Sequence, residues 1–135
     1  MRYPVVVHKD PASDYGVTVP DLPGCFSAGR TFDEAMDAVV EAIECHLEGM
    51  LSDAEPVPAP GTIEHHHANP DYGGGVWAVV TVDLARLSGK TRRVNITLPE
   101  RVLTVMDRYA RDHGETRSGL ITHATIAYIA SREDT

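Results

Sequence analysis

Arg92-Arg93-Val94-Asn95-Ile96-Thr97-Leu98-Pro99 is the stretch that decides how this chain folds. Arg93, Asn95 and Thr97 alternate with Val94, Ile96 and Leu98. A period of two predicts a half-buried strand. Pro99 stands where the first turn of a helix starts, and Val102, Leu103, Val105, Met106, Tyr109 and Ala110 follow helical spacing. Gly114 suits the left-handed residue that closes such a helix. Thr116 suits the N-cap of a second helix, with Leu120, Ile121, Ala124, Ile126, Tyr128 and Ile129 as its apolar face. One strand and two helices in about 40 residues fall below the size at which a chain closes its own core. A lone strand also leaves two unpaired edges. Both deficits vanish if two copies pair their strands antiparallel and interlock their helices. A two-stranded ribbon of that kind fits the major groove of DNA.

Upstream of this unit the residues change character. Tyr3 to Val7 is β-rich, with Pro4 suiting an edge or a strand beginning. Lys9 to Asp14 is turn-forming, and Tyr15 to Val19 reads as the second arm of a hairpin. Pro20-Asp21-Leu22-Pro23-Gly24 punctuates, and Cys25 to Arg30 offers a third strand. Thr31 and Glu34 have capping-box spacing. Behind them Ala35, Met36, Val39, Val40, Ile43, Leu47, Met50 and Leu51 predict an amphipathic helix. Asp37, Glu41, Glu44 and Glu48 line its other side. The prolines of Asp53 to Gly61 predict an extended connection, and Ile63 to Gly75 reads as irregular. Val76 to Leu84 is a further strand, and Ala85 to Thr91 a short linker.

Charge follows the same division. Residues 1–90 hold five Lys/Arg against fourteen Asp/Glu, a net of −9, and residues 91–135 hold seven against six, a net of +1. Such asymmetry points to two units with different partners. No apolar run approaches the length of a membrane span. No secretory segment opens the chain, so the expected location is the cytoplasm. The two cysteines, Cys25 and Cys45, are too few for a disulfide framework. Both are expected to be buried as small hydrophobes.

From Arg92 to about Ser131 the order of strand, Pro99, helix, Gly114, Thr116 and helix resembles the ribbon-helix-helix repressors. The resemblance implies that Arg93, Asn95 and Thr97 face base edges, with Arg92 at the start of the strand. Arg can grip guanine and Asn adenine with paired hydrogen bonds. It also implies that Val94, Ile96 and Leu98 pack in a dimer core. Phosphate would be held at the start of the second helix, by Arg117 and Ser118, where a helix N-terminus suits an anion.

Asp14 to Gly29, with Pro20-Asp21-Leu22-Pro23-Gly24-Cys25 and then Asp33-Glu34-Ala35, is similar to the HicB antitoxin family. That resemblance spans about Tyr3 to Pro60 and implies a degenerate ribonuclease-H-like β-β-β-α-β module. It implies a partner as well: a HicA-like toxin, a small basic ribonuclease that cuts mRNA. The acidic stripe Asp37, Glu41, Glu44 and Glu48 offers charge complementary to such a partner.

Nuclease chemistry would need clustered carboxylates around divalent metals. Asp10, Asp14, Asp21 and Asp83 are the candidates, and none sits mid-strand opposite another carboxylate. Consecutive histidines His65, His66 and His67 diverge on an extended chain and suit a solvated loop better than a closed metal site. The expectation is an α+β protein with a toxin-binding module (1–84), a linker (85–91) and a DNA-binding module (92–135). It is expected to have no catalytic residue, no metal and no cofactor. Its expected partners are the toxin, operator DNA and a second copy, with a higher oligomer left open. The competing expectation is a stand-alone ribbon-helix-helix regulator whose first module senses a ligand.

Overall fold

The computed structural model describes residues 1–87 and 89–133. Ser88 of the expected linker, and Asp134 and Thr135 at the end of the expected second module, lie outside the described residues. The chain is α+β. Strands β1 (Arg2–His8), β2 (Tyr15–Thr18), β3 (Phe26–Gly29) and β4 (Val76–Thr81) form one antiparallel sheet in the order β3-β2-β1-β4. Helix α1 (Phe32–Ser52) follows β3 and packs on one face of the sheet. The remaining helices are α2 (Ile63–His67), α3 (Glu100–Asp112) and α4 (Arg117–Glu133), with short 3-10 turns at Pro70–Tyr72 and Leu84–Arg86.

Helix α1 forms where its pattern predicts. Thr31 Oγ1 accepts from the Glu34 amide at 3.1 Å, and Glu34 reaches back to the Arg30 amide at 3.1 Å. This reciprocal cap satisfies amides that no helical carbonyl can reach. Ala35, Val39, Ile43 and Leu47, one per turn, are fully buried. They share a core with Tyr3, Val5, Val7, Val17, Val19 and Leu22. Each large aliphatic residue there stabilises the fold by about 1.5–3 kcal/mol of transfer free energy.

The structure corrects several expectations. Cys25 is buried, but Cys45 is exposed, because it falls off the 35-39-43-47 stripe. β1 is interior, so Pro4 is not on an edge strand. It is tolerated because β2 pairs with β1 only at Val6, Val7 and His8, which leaves β1 locally unpaired on that side at Pro4. β4 stops at Thr81, and Leu84 opens a 3-10 turn. The linker begins inside the core, since Leu84 and Leu87 are buried there.

Residues 63–75 are ordered where irregularity was expected. Thr62 caps α2 through the His65 amide at 3.1 Å, and Asn69 caps the following turn through the Asp71 amide at 2.9 Å. His66 Nε2 donates to Asp21 Oδ1 at 2.9 Å, and Asp21 Oδ2 accepts from the Gly61 amide at 3.0 Å. The His66 ring lies parallel to Trp77 of β4, and Tyr72 meets the same indole edge-on. Tyr3 donates its hydroxyl to the Pro58 carbonyl at 2.7 Å, tying down the proline-rich connection.

Ile43→Ala is expected to lower stability by about 2–5 kcal/mol, the range for emptying a filled core position. Cys45→Ala on the same helix should change it by about 0.5 kcal/mol or less. Denaturant midpoints of the two variants check this, and equal losses would contradict the packing described here.

Candidate DNA-reading and partner-facing surfaces

The decisive stretch takes neither helix nor strand in the single chain, and Lys90 to Thr97 are exposed. The expected strand 92–98 has no partner strand in the described sheet, whose members are β1 to β4. Val94 is 73% and Ile96 59% exposed, unusual for aliphatic residues bracketing an asparagine. Behind them α3 and α4 enclose an apolar groove of about 700 Å³ lined by Ile96, Leu98, Val102, Val105, Leu120 and Ile121. Tyr109, Tyr128 and Ile129 are also exposed on these helices. Ala110 and Gly119 are the buried residues of α3 and α4. The core lies under α1 and the sheet, and the helical pair adds only Ala110 to the buried hydrophobic residues.

The start of α4 is built from three directions. Gly114 turns the chain with a φ of 64°, in the left-handed region that favours glycine. Thr116 Oγ1 then accepts from the Gly119 amide at 3.0 Å and donates to Asp83 Oδ1 at 3.1 Å. Asp83 Oδ1 also accepts from the Ala85 amide at 3.0 Å, so one carboxylate braces two helix starts. Gly119 leaves the room this needs: a Cβ there would sit 2.7 Å from Asp83 Oδ1. Arg117 donates Nε to Asp107 Oδ1 at 3.0 Å and Nη2 to Oδ2 at 2.9 Å. These bonds hold the Asp107 carboxyl below its ordinary range and raise the Arg117 guanidinium.

Of the residues singled out from the sequence, Arg92, Arg93, Val94 and Ser118 come together, Val94 lying apart from the groove lined by Ile96 and Leu98. With Lys90 they line one cleft of about 610 Å³. Asn95 and Thr97 are exposed and lie outside that cleft's lining. Along α1, Asp37, Glu41 and Glu44 are exposed and Glu48 is half-buried, all on one outer stripe. Asp107 and the bracing role of Asp83 were missed by sequence reasoning. The first becomes visible only when the α3–α4 hairpin sets residue 107 beside residue 117.

The carboxylates considered for a nuclease do not converge. Asp10 and Asp14 are exposed on the β1–β2 turn, Asp21 is engaged by His66, and Asp83 serves the two helix starts. Among the described residues no group of three or more His, Cys, Asp or Glu is placed to hold a metal ion. No described helix is long and apolar enough to cross a membrane.

A four-stranded sheet carrying α1 is followed by a helical pair whose apolar groove is uncovered in the single chain. Residues 3–125 match the HicB-like antitoxin of bacterial toxin–antitoxin systems, and the chain belongs to that family. A 14.9 kDa protein from the rep-hol intergenic region of Haemophilus phage HP1 (strain HP1c1) is 44% identical over 119 residues, 87% of this chain and 88% of the relative. The fold is similar to the crystal structure of the Burkholderia pseudomallei antitoxin HicB, with a TM-score of 0.74 and 44% identity over 93% of this chain and 96% of that one. A chain of the HicA3 and HicB3 toxin–antitoxin complex is 29% identical, with a TM-score of 0.51 over 62% of this chain and 99% of that one.

Gly119→Ala tests the brace at α4. Alanine is the better helix former by about 1 kcal/mol. Here its methyl would displace Asp83 from two hydrogen bonds, each contributing about 0.5–1.5 kcal/mol. A lower melting temperature is expected, and a rise would show that Asp83 yields freely.

Proposed function

We propose that this antitoxin neutralises a HicA-like mRNA-cleaving toxin with one module and represses its own operon with the other. Residues 1–84 are the toxin-binding module, read as a degenerate ribonuclease-H-like fold, residues 85–91 the linker, and residues 92–135 a ribbon-helix-helix module. The observation that carries the DNA half is the uncovered apolar groove behind an exposed, alternating segment. A large exposed apolar surface marks an interaction site, and an isologous partner covers both the groove and the strand edge at once. In the homodimer, Val94, Ile96 and Leu98 enter the shared core, and Arg92, Arg93, Asn95 and Thr97 line the ribbon face offered to DNA. Arg117 and Ser118 take phosphates at α4, where the helix dipole favours an anion. Lys90, Arg92 and Arg93 beside Ser118 support a single cationic approach to the backbone.

The toxin half is supported by the solved complex of the HicB3 relative with HicA3. The acidic stripe Asp37, Glu41, Glu44 and Glu48 on α1 suits a small basic ribonuclease, because complementary charge speeds encounter and suppresses wrong partners. Neutralisation proceeds by occlusion in the cytoplasm, without a reaction catalysed by this chain and without a cofactor.

Co-expression with the product of the adjacent reading frame, followed by pull-down, tests the pairing. Recovery of a basic partner of roughly HicA size supports it. Loss of regulation without any such partner would favour a ligand-sensing regulator instead. Arg93→Ala with Asn95→Ala should weaken operator binding by about tenfold or more, since each paired base contact discriminates by about 1–3 kcal/mol. Toxin neutralisation in a growth-rescue assay should be unchanged; equal failure of both would refute the division of labour. Ile96→Asp places a charge in the dimer core and should convert the protein to monomers by size-exclusion chromatography, with operator affinity lost alongside. A wild-type protein already monomeric at micromolar concentration would overturn the ribbon-helix-helix assignment.

A further inference from the structure

The Arg117–Asp107 pair lies on the surface, with the side chains 57% and 43% exposed, so burial does not force it. Its geometry is the two-bond fork that guanidinium also uses for phosphate. Nε and one face of Nη2 are therefore engaged within the chain before DNA arrives. Asp107 comes from the third turn of α3, across the hairpin closed by Gly114. It contributes nothing to the apolar groove. It does place a negative charge beside the first residue of α4, where a helix start would otherwise favour an anion.

We propose that Asp107 is a built-in competitor for DNA phosphate at Arg117, and that it sets operator affinity below what the basic residues alone would give. The inference rests on the DNA-reading function proposed above. An exposed ion pair is weak, so phosphate can displace the carboxylate, but only after breaking both hydrogen bonds. A paired guanidinium is electrically neutral over the distance at which phosphate arrives, so it adds little to counterion release. Freeing it adds about one phosphate contact per protomer. That contact steepens the dependence of log affinity on log salt by about 0.9.

The experiment uses the full chain and a duplex taken from the region immediately upstream of its own reading frame, titrated over about 50–200 mM salt. Asp107→Asn should bind roughly two- to fivefold tighter per protomer, the span of one exposed ion pair, with the steeper salt slope. Asp107→Ala, which cannot accept a hydrogen bond, should move both readouts in the same direction. Arg117→Gln should bind more weakly, and adding Asp107→Asn to it should recover less than Asp107→Asn gains alone. Size-exclusion and melting profiles identify any variant that loses the dimer. Unchanged or weaker binding by both Asp107 variants overturns the competition and leaves DNA reading intact. So does an equal gain in the Arg117→Gln background, which would make Asp107 a general field effect. A wild-type chain that binds no duplex across the salt range removes the DNA-reading function and this inference together.

Discussion

Residues 92–98 carry backbone donors and acceptors that no strand of their own sheet meets, and side chains that their own helices do not cover. This shortfall organises the rest of the molecule. A hydrogen-bonding edge in water is tolerable, and so is an exposed valine, but an edge and a groove of about 700 Å³ on the same unit make a template for pairing. The helical pair therefore keeps apolar surface in contact with water, the kind of surface that marks an interaction site. The core of the first unit lies between α1 and the inner face of the sheet.

The two units nevertheless touch. Asp83 at the end of the first reaches Thr116 in the second, His123 of α4 donates to the Val57 carbonyl at 3.1 Å, and Arg2 reaches the Asp112 carbonyl at 3.4 Å. Most of these contacts are polar and partly exposed, the character of an interface that can adjust. α4 carries both the proposed phosphate contacts and part of the apolar groove. Its seating on the first unit is thus the place where occupancy of one surface would be felt at the other.

How much was legible follows from where each element's stability comes from. α1 was readable because its cap, its stripe and its acidic outer side all lie within one local segment. β1 and β2 were readable from β-branched runs between strong turn residues, and β3 from its place between the Pro20–Gly24 turn and the Thr31 cap. α2 was not, because a five-residue helix is held by distant groups: Asp21, forty-five positions from His66, and the Trp77 indole. Cys45 was misplaced because helical context alone does not say which side of the helix a residue takes. Pro4 sits near the beginning of β1, one of the two placements expected, and the shortness of β2 leaves its missing amide harmless. At the proposed DNA end, residue types in an alternating pattern put forward Arg93, Asn95 and Thr97. The Asp107 partner of Arg117 is a product of hairpin geometry, with no periodic signature to betray it.

The carboxylate of Asp83 has a bearing on how such chains can be recombined. It belongs to the chain just after β4, yet it secures the first turn of the last helix and fits only because position 119 lacks a side chain. Residues 83, 116 and 119 therefore act as one set that straddles the junction. A tail joined after Leu87 would arrive separated from this brace. A graft joined ahead of residue 83 would carry its brace with it.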